Sequence, residues 1–237
     1  MSFGKGRITL VKKKYNIYYN FRYPLFMKQL IYVLTLILIV ASCTEKQPVK
    51  IACIGDSITE GAGIHWQSKS SYPVQLDSIL GDGFSVLNCG RSGANMLKKS
   101  DLPYWICNEF SNVFVFQPNV IVIKLGTNDS KPQNWNEANY AKDLQSMIDT
   151  LNTIPTKPRI YLCLPVPAYN HAWGINDSVI RAGVIPSIQK IAEKNKLTVI
   201  DLYKQLSNHV EFFPDSIHPN EAGAKAMAEV IAKIINQ

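Results

Sequence analysis

Short apolar runs alternate with amphipathic segments along residues 49–237. Each run holds four to six residues bounded by glycine, proline, asparagine or aspartate, which is typical of buried strands. The predicted strands cover residues 50–54, 84–88, 120–125, 159–164 and 198–201. The predicted helices cover residues 72–80, 103–115, 136–151, 177–196 with an interruption near Pro186, and 220–235. Strands separated by helices predict an α/β fold, in which a mostly parallel five-stranded sheet lies between two helical layers.

The first predicted strand ends in a turn formed by Gly55, Asp56 and Ser57. Glycine lets the backbone turn sharply, and the serine then lies at the carboxyl end of a strand, where open α/β sheets bind ligands. The turn alone is equally well explained if Ser57 caps the following helix. The residues at the ends of the other strands must therefore decide whether Ser57 has a chemical role.

Three further polar stretches follow later strands or precede the last helix. They are the glycine-rich turn 88–93, the stretch 126–129 with sequence GTND, and the stretch 214–220 with sequence PDSIHPN. A serine hydroxyl is a poor nucleophile that needs a base and an anion to orient the base. Asp215 and His218 can pair through their turn to supply both. Taken singly, each stretch also fits a structural turn, and a histidine beside a capping turn is common on surfaces.

The ordered blocks GDSIT, NCGRSG, GTND and DSIHPN resemble the SGNH (GDSL-type) hydrolase family over residues 49–237. The resemblance implies that Ser57 is the nucleophile of an acyl-transfer enzyme and that His218 and Asp215 complete a catalytic triad. We therefore expect a flavodoxin-like arrangement of the five strands and a serine esterase that needs no cofactor.

The resemblance also implies an oxyanion hole. Its donors are the backbone N–H of Ser57, Gly93 and the amide of Asn128. Gly90 lies in the same turn as Gly93, but the family's spacing from the asparagine that ends the strand favours Gly93.

The GDSIT and LGTND blocks look like those of SGNH carbohydrate esterases, which remove acetyl groups from sugars. Aromatic and polar side chains near the four blocks can contact a saccharide, because rings lie against its apolar face while polar groups meet its hydroxyls. The candidate substrate-binding residues are Asp56, Trp66, Asn134, Trp135, Tyr169, Asn170, His171 and Trp173. Each of the aromatic residues could instead pack beneath a loop.

We expect a small-molecule or glycan ester as substrate, with acetylated sialic acid and xylan-type saccharides as candidates. Two alternatives stay open. A lysophospholipase or thioesterase of the same family would use the same catalytic groups, and a glycan-binding lipoprotein would keep the fold without turnover.

The net charge of +7 suggests an anionic partner, but its distribution argues against nucleic acid. Residues 1–42 hold seven of the 25 basic residues and no acidic ones, so residues 43–237 carry 18 basic and 18 acidic residues. The predicted domain at residues 49–237 is therefore close to neutral, and nucleic acid is excluded as an expected partner.

The basic leader has the order of a bacterial lipoprotein signal peptide. A short basic start at residues 27–29 precedes an apolar run at 30–40 and the small residues 40–43, which end in Cys43. The run is shorter than the roughly 20 residues of a membrane span. We expect lipidation of Cys43, a tether at 43–48, and an exported lipoprotein in the periplasm or at the cell surface, anchored to a membrane by its lipid. An ordinary cleaved signal and an N-terminal anchor helix are the alternatives, and residues 1–26 are treated as a misassigned start.

Four other cysteines remain: Cys53, Cys89, Cys107 and Cys163. Export permits disulfides, but Cys53 and Cys163 lie in predicted strands, where a cysteine acts as a small buried apolar residue. The sequence contains no CxxC pair and no cysteine and histidine cluster at metal-ligand spacing, so no metal site is predicted.

Overall fold

The computed structural model describes residues 26, 27, 29 and 47–236 of the chain. The strands are β1 Val49–Gly55, β2 Phe84–Gly90, β3 Val120–Lys124, β4 Arg159–Cys163 and β5 Thr198–Ile200. The helices are α1 Ser57–Glu60, α2 Gln67–Ser70, α3 Tyr72–Leu80, α4 Asn108–Phe116, α5 Glu137–Leu151, α6 Asp177–Val179, α7 Ile185–Asn195, α8 Leu202–Leu206 and α9 Glu221–Ile235. Cys43 and the leader, apart from residues 26, 27 and 29, lie outside the described residues.

The five strands form one parallel sheet in the order β2-β1-β3-β4-β5. This is the flavodoxin-like order, so the predicted fold class is confirmed. The chain moves from β1 to one edge of the sheet and then crosses to the other side of β1. The crevice between the carboxyl ends of β1 and β3 is therefore the switch point at which such sheets bind ligands.

Alternate residues of the central strands face opposite helical layers, because side chains in a strand alternate between its two faces. One core contains Ala52, Ile54, Ile121 and Ile123 and packs against α4, α5 and α7. The other contains Ile51, Cys53, Val120 and Val122 and packs against α3, α8 and α9. Burial on both faces explains why these strands read as nearly continuous apolar runs.

Two predicted helices are each divided into separate segments in the structure. The expected helix at 103–115 is a 3₁₀ turn at Tyr104–Ile106 followed by α4. The long helix at 177–196 is interrupted by a π-helical turn at Ile180–Val184, and Pro186 lies in the first turn of α7. Gly183 in that turn packs closely on the Trp135 ring, where an added Cβ would come within 2.3 Å of a ring carbon. The absence of a side chain at Gly183 therefore lets the π-helical turn pack against Trp135.

The last predicted strand ends one residue early. Asp201 accepts a hydrogen bond from the backbone N–H of Lys204 at 2.8 Å and caps α8, a short helix that the sequence pattern did not indicate. A helix of five residues carries too few apolar positions to show a helical period.

The described cysteines Cys53, Cys89, Cys107 and Cys163 are all buried thiols without a disulfide. Burial raises the pKa of Cys89 and Cys163 to about 12. These thiols therefore stay protonated at neutral pH and pack as small apolar groups, as predicted for Cys53 and Cys163. Among the described residues, no helix is both long and apolar enough to cross a bilayer.

The contact between Gly90 and α1 yields a prediction about stability. A Cβ at Gly90 would lie 2.1 Å from the backbone nitrogen of Glu60, whereas a Cβ at Gly83 would meet nothing within 4 Å. We expect Gly90→Ala to lower the free energy of unfolding by about 1–3 kcal/mol, because backbone must move to admit the methyl group. Gly83→Ala, at the other end of β2, is the matched control and should change it by less than about 1 kcal/mol. Chemical denaturation measures both, and equal effects would contradict the packing described for Gly90.

Candidate active site

The turn after β1 presents Ser57 at the switch point. Gly55 is the last residue of β1, and a side chain does not fit there because an added Cβ would lie 1.9 Å from Oγ1 of Thr59. The cap of α1 is Asp56, whose Oδ1 accepts the backbone N–H of Ile58 at 3.0 Å. The interpretation of Ser57 as the helix cap is therefore wrong, since Asp56 has that role.

The structure brings Ser57, His218 and Asp215 together, although Ser57 and His218 are 161 residues apart in sequence. Oγ of Ser57 lies 2.8 Å from Nε2 of His218. Nδ1 of the same ring lies 2.7 Å from Oδ2 of Asp215. A carboxylate is only an acceptor, so Nδ1 donates to Asp215 and Nε2 is left to accept the serine hydroxyl. The arrangement can move a proton from Ser57 to an imidazole whose orientation is fixed.

The Asp215 carboxylate is held by its own turn. Its Oδ1 accepts the backbone N–H of Ile217 at 3.0 Å and that of His218 at 2.7 Å. Burial alone would raise the pKa of Asp215, but these two N–H groups and the imidazole outweigh it and hold that pKa below its usual range. Asp215 is therefore an anion at neutral pH, which is the state that can hold a donating imidazole.

Gly93 and Asn128 line the same cavity as Ser57 and His218. Gly93 has a φ of 82°, and an added Cβ would meet only Leu102, at 3.7 Å. Nδ2 of Asn128 donates to the carbonyl of Ala94 at 3.1 Å, which leaves its second N–H to point elsewhere. The backbone N–H groups of Ser57 and Gly93 have no acceptor among the described residues. The site thus contains several uncommitted N–H donors.

The structure distinguishes Gly93 from Gly90. Gly90 is packed against the backbone of Glu60, as described above, and its own N–H donates to Oδ1 of Asn88 at 2.9 Å. Gly93 instead lines the cavity beside Ser57. Gly93 is therefore the residue of this turn that can face a bound molecule.

A cavity of about 260 Å³ lies over these groups. Its lining consists of Ser57, Ala62, Ser92, Gly93, Asn128, Lys131, Trp173, Ile175 and His218. A larger hollow of about 450 Å³ lies between residues 205–212 and α9, but no serine, threonine or cysteine lines it. Of these two cavities, the smaller one is lined by serines, Ser57 and Ser92. The described part of the chain holds no cluster of three or more metal-ligating side chains.

Among the predicted substrate-binding residues, Trp173 is the one that lines this cavity. Its ring centroid lies 5.2 Å from that of His218, at an interplanar angle of 54°, and 60% of the residue is exposed. The loop adopts left-handed backbone at Asn170, His171 and Trp173. An exposed indole beside the imidazole is suited to contact the alcohol portion of a substrate.

Four other candidates occupy structural positions instead. Asp56 is fully buried and cannot contact a substrate, because it caps α1 and pairs with Lys124. Trp135 packs on Tyr140 with ring centroids 5.6 Å apart. Tyr169 donates its hydroxyl to the Ser207 carbonyl at 3.3 Å. Asn134 is 5% exposed and donates to Oδ1 of Asn95 and to the Asn128 carbonyl. The contacts of Trp135 and Tyr169 agree with the alternative that these aromatic residues have a packing role.

The remaining candidates lie at the surface but do not line the cavity. Trp66 is 57% exposed and contacts His65 edge-on, with Lys69 over its ring. His171 is exposed, and Asn170 donates to Oγ of Ser216 at 3.2 Å. They remain candidates for contacts with a substrate larger than the cavity.

Two buried charges near the site were not among the predicted site residues. Lys124, the last residue of β3, is fully buried, and its Nζ lies 3.0 Å from both Asp56 oxygens. Asp129 is also fully buried and accepts the backbone N–H groups of Met96 and Leu97 at 3.0 and 2.8 Å. In the sequence, Lys124 can be recognised as the one charged residue of an otherwise apolar strand.

The ionisation of Asp129 is governed by burial. Burial raises the pKa of Asp129 to about 7, against the lowering effect of the N–H groups of Met96 and Leu97. The carboxyl therefore titrates near neutral pH in the folded protein. Asp129 connects the backbone of residues 96 and 97 to the turn that contains Asn128. The charge state of Asp129 therefore affects the segment that follows Gly93.

The fold and the site define an α/β protein whose polar cavity lies at the switch point of a parallel sheet. Residues 53–226 match the sequence model of the GDSL-like Lipase/Acylhydrolase family. That match covers well over half of the chain, so the chain belongs to this family, and the resemblance found in the sequence blocks is confirmed.

One similar protein is an acetylxylan esterase of Xylanibacter ruminicola (strain ATCC 19189 / DSM 19721 / CIP 105475 / JCM 8958 / 23). It is 42% identical to this chain over 210 residues, which cover 81% of this chain and 44% of the relative. The chain therefore spans less than half the length of this curated relative.

Two solved structures share the fold. The structure of an acetyl xylan esterase is 22% identical with a TM-score of 0.62, and the match covers 79% of this chain and all of that one, 100%. A member of the lipolytic G-D-S-L family from Veillonella parvula DSM 2008 is 23% identical with a TM-score of 0.63, over 79% of this chain and 98% of that one. At these identities the likeness concerns the fold.

The raised pKa of Asp129 predicts how stability depends on pH. The unfolded carboxyl has a pKa near 3.9, so between about pH 4 and pH 7 the folded state binds more protons than the unfolded state. We expect the free energy of unfolding of the wild-type protein to rise as the pH falls through this window, with a slope that approaches about 1.4 kcal/mol per pH unit. Asp129→Asn should remove this contribution.

Urea denaturation at pH 7.5 and pH 5 tests this expectation. The lowered pKa of Asp215 affects stability only below this range of pH. A carboxyl whose pKa is lowered in the folded state stabilises the protein above its unfolded pKa, and this stabilisation is lost as the pH falls below that pKa. Identical pH dependence in the wild type and in Asp129→Asn would contradict the assignment.

Proposed function

We propose that this protein is a serine esterase that removes acetyl groups from carbohydrates. The observation that carries the proposal is the hydrogen-bonded series from Asp215 through His218 to Ser57, with distances of 2.7 and 2.8 Å, which ends at a small cavity. Membership of a lipase and acylhydrolase family supports ester hydrolysis as the reaction.

In the first step of the proposed reaction, Oγ of Ser57 attacks the ester carbonyl carbon while Nε2 of His218 takes the hydroxyl proton. The carbonyl oxygen becomes an oxyanion. The N–H groups of Ser57, Gly93 and Asn128 are its proposed donors, and one such donor is typically worth about 3–4 kcal/mol in the transition state. The bond from the carbonyl carbon to the sugar oxygen then breaks, and the sugar leaves with the proton from His218.

In the second step, water replaces the sugar hydroxyl. His218 takes a proton from water as the water oxygen attacks the acetyl carbonyl carbon, and the second oxyanion uses the same donors. The bond to Oγ of Ser57 breaks, acetate leaves, and Ser57 recovers its proton from His218. Asp215 remains an anion throughout and stabilises the imidazolium that forms in each step.

The size of the cavity supports a short acyl group. The apolar side chains of its lining are those of Ala62, Trp173 and Ile175, and the volume of about 260 Å³ must hold both the acyl group and part of the alcohol. A long acyl chain needs a continuous apolar channel, which three side chains do not provide. This argues against a lysophospholipase and favours acetyl among the acyl groups.

The exposed ring of Trp173 supports a sugar as the alcohol. An indole face packs against the apolar face of a pyranose, while Ser92 and Lys131 offer polar groups to its hydroxyls. The 42% identity to an acetylxylan esterase favours a xylan-type saccharide over sialic acid. Because the chain spans 44% of that relative, the substrate is part of the proposal.

Acyl-chain and glycan assays test the proposed function. We expect the purified chain to hydrolyse an aryl acetate at least about tenfold faster than the aryl octanoate, because the octanoyl chain exceeds the cavity, and to release acetate from acetylated xylan. Ser57→Ala should lower kcat by on the order of 10⁴-fold or more without loss of fold. The matched control Ser78→Ala changes an exposed serine on α3 and should keep full activity.

Faster turnover of the octanoate would move the assignment to a lipase or thioesterase. Retained activity in Ser57→Ala would contradict the assignment of the nucleophile. No reaction of the wild type with any ester or with a fluorophosphonate would favour the non-catalytic glycan-binding alternative.

We further propose that the protein is exported and anchored to a membrane through lipid on Cys43. The support is the sequence order of a basic start, an apolar run and small residues ending in cysteine at residues 27–43. A single acyl chain binds membranes weakly, whereas the several chains of a bacterial lipoprotein hold a domain firmly. A tethered esterase would meet glycans outside the cytoplasm.

Metabolic labelling with a fatty acid tests the anchor. We expect the full chain to incorporate label and to fractionate with membranes, and Cys43→Ser to lose both properties because the acylated thiol is gone. Cys107→Ser, which changes a buried cysteine of the domain, is the matched control and should still be labelled. Label retained in Cys43→Ser would show that the anchor lies elsewhere.

A further inference from the structure

A fully buried lysine lies at the carboxyl end of β3, in contact with the residue that precedes Ser57. Lys124 ends β3 and has no exposed surface. Its Nζ lies 3.0 Å from Oδ1 and 3.0 Å from Oδ2 of Asp56, and 2.9 Å from Oγ1 of Thr127. An ammonium group has three N–H donors, so these three acceptors satisfy it completely. Lys124 is therefore fixed in one position and reaches no bound molecule.

The acceptors of Lys124 belong to the two turns that form the site. Asp56 precedes Ser57 at the end of β1, and Thr127 precedes Asn128 after the end of β3. The two strands are paired so that Gly55 lies opposite Lys124. One ammonium group thus connects the turn that carries the serine hydroxyl to the turn that carries the amide.

We propose that Lys124 is a positioning residue for the reaction, which holds Ser57 and Asn128 at their working separation through Asp56 and Thr127. This inference rests on the proposed function. Lys124 also balances the negative charge of Asp56, whose carboxylate lies one residue from the proposed oxyanion donor at Ser57. Without the ammonium, that charge would oppose the negative charge that develops on the substrate oxygen in the transition state.

Stability alone gives little reason for a charge at this position. Burial disfavours the ammonium and lowers the pKa of Lys124, while the Asp56 carboxylate counteracts this. Replacing a buried ion pair by neutral groups of similar size is often neutral or stabilising, whereas removing one partner is strongly destabilising. An apolar residue would also continue the buried run of β3. A paired variant can therefore separate the role in folding from the role in catalysis.

The decisive variant is Asp56→Asn combined with Lys124→Met. The asparagine oxygen still accepts the N–H of Ile58, methionine fills the volume of the lysine stem, and no unpaired charge remains. We expect this double variant to unfold at a denaturant concentration close to that of the wild type. Its kcat for an aryl acetate should fall by about 10²-fold, with KM changed less than about threefold, because the loss concerns the transition state.

A second variant guards against misfolding of the first. Thr127→Val keeps the ion pair and the side-chain shape but removes the hydroxyl acceptor, and we expect a loss of about tenfold in kcat. The matched control for lost stability is Leu151→Ala, which creates a cavity at the far end of α5 and should keep kcat within about twofold of the wild type.

The rate at which a fluorophosphonate modifies Ser57 provides a readout that does not depend on the substrate. It should fall in the double variant and in Thr127→Val in parallel with kcat. If the double variant is folded and retains kcat and labelling rate within about threefold of the wild type, the role of Lys124 is purely structural and the inference is wrong. If the double variant does not fold, unchanged rates in Thr127→Val overturn it equally.

Failure of the proposed function would look different. In that case the wild type would not hydrolyse acetyl esters, whereas the labelling rates of the variants would still report whether Lys124 positions Ser57.

Discussion

The parallel sheet is buried on both faces, and this constraint determines where polar chemistry can occur in the protein. The central strands carry apolar side chains toward two cores, so functional polar groups are excluded from most of their length. Parallel strands also bring all their carboxyl ends to one edge of the sheet. The turns after β1, β2 and β3 therefore meet in a small volume, and the turn before α9 adds His218 and Asp215.

The fully buried charged groups next to the turns of the site are compensated. Lys124 and Asp56 neutralise each other, while Asp129 receives the backbone N–H groups of Met96 and Leu97. A buried charge is tolerated only when its hydrogen-bonding capacity is filled. All described buried side-chain nitrogen and oxygen atoms have a hydrogen-bond partner. The support of the site is thus a polar network enclosed by an apolar core.

The exposed side of the site is formed by the loop that carries Trp173, and the backbone of this loop is strained. Trp173 has φ near 54°, a conformation that bulky side chains rarely adopt and that costs on the order of 1–3 kcal/mol. The neighbouring Ile175 is 4% exposed, and the N–H of Asn176 donates to Oγ of Ser130 at 3.0 Å. These anchors hold the loop so that the indole remains beside His218. The polar network thus supports the site from the protein interior, while the loop presents an exposed ring at its surface.

The fold class and the four polar turns are predictable from the sequence. Strands buried on both faces need apolar runs, and sharp turns need glycine, so both constraints are written locally in the chain. The family blocks identified Ser57, Gly93, Asn128, Asp215 and His218 as candidates, since those residue types recur at fixed places in the fold. The sequence does not predict which aromatic residues line the cavity, because this depends on the packing of the folded chain. Trp135 and Trp173 both follow strand ends, but one packs on Tyr140 and the other remains exposed. That difference depends on contacts between segments distant in sequence, and the pairing of Lys124 with Asp56 across 68 residues arises in the same way.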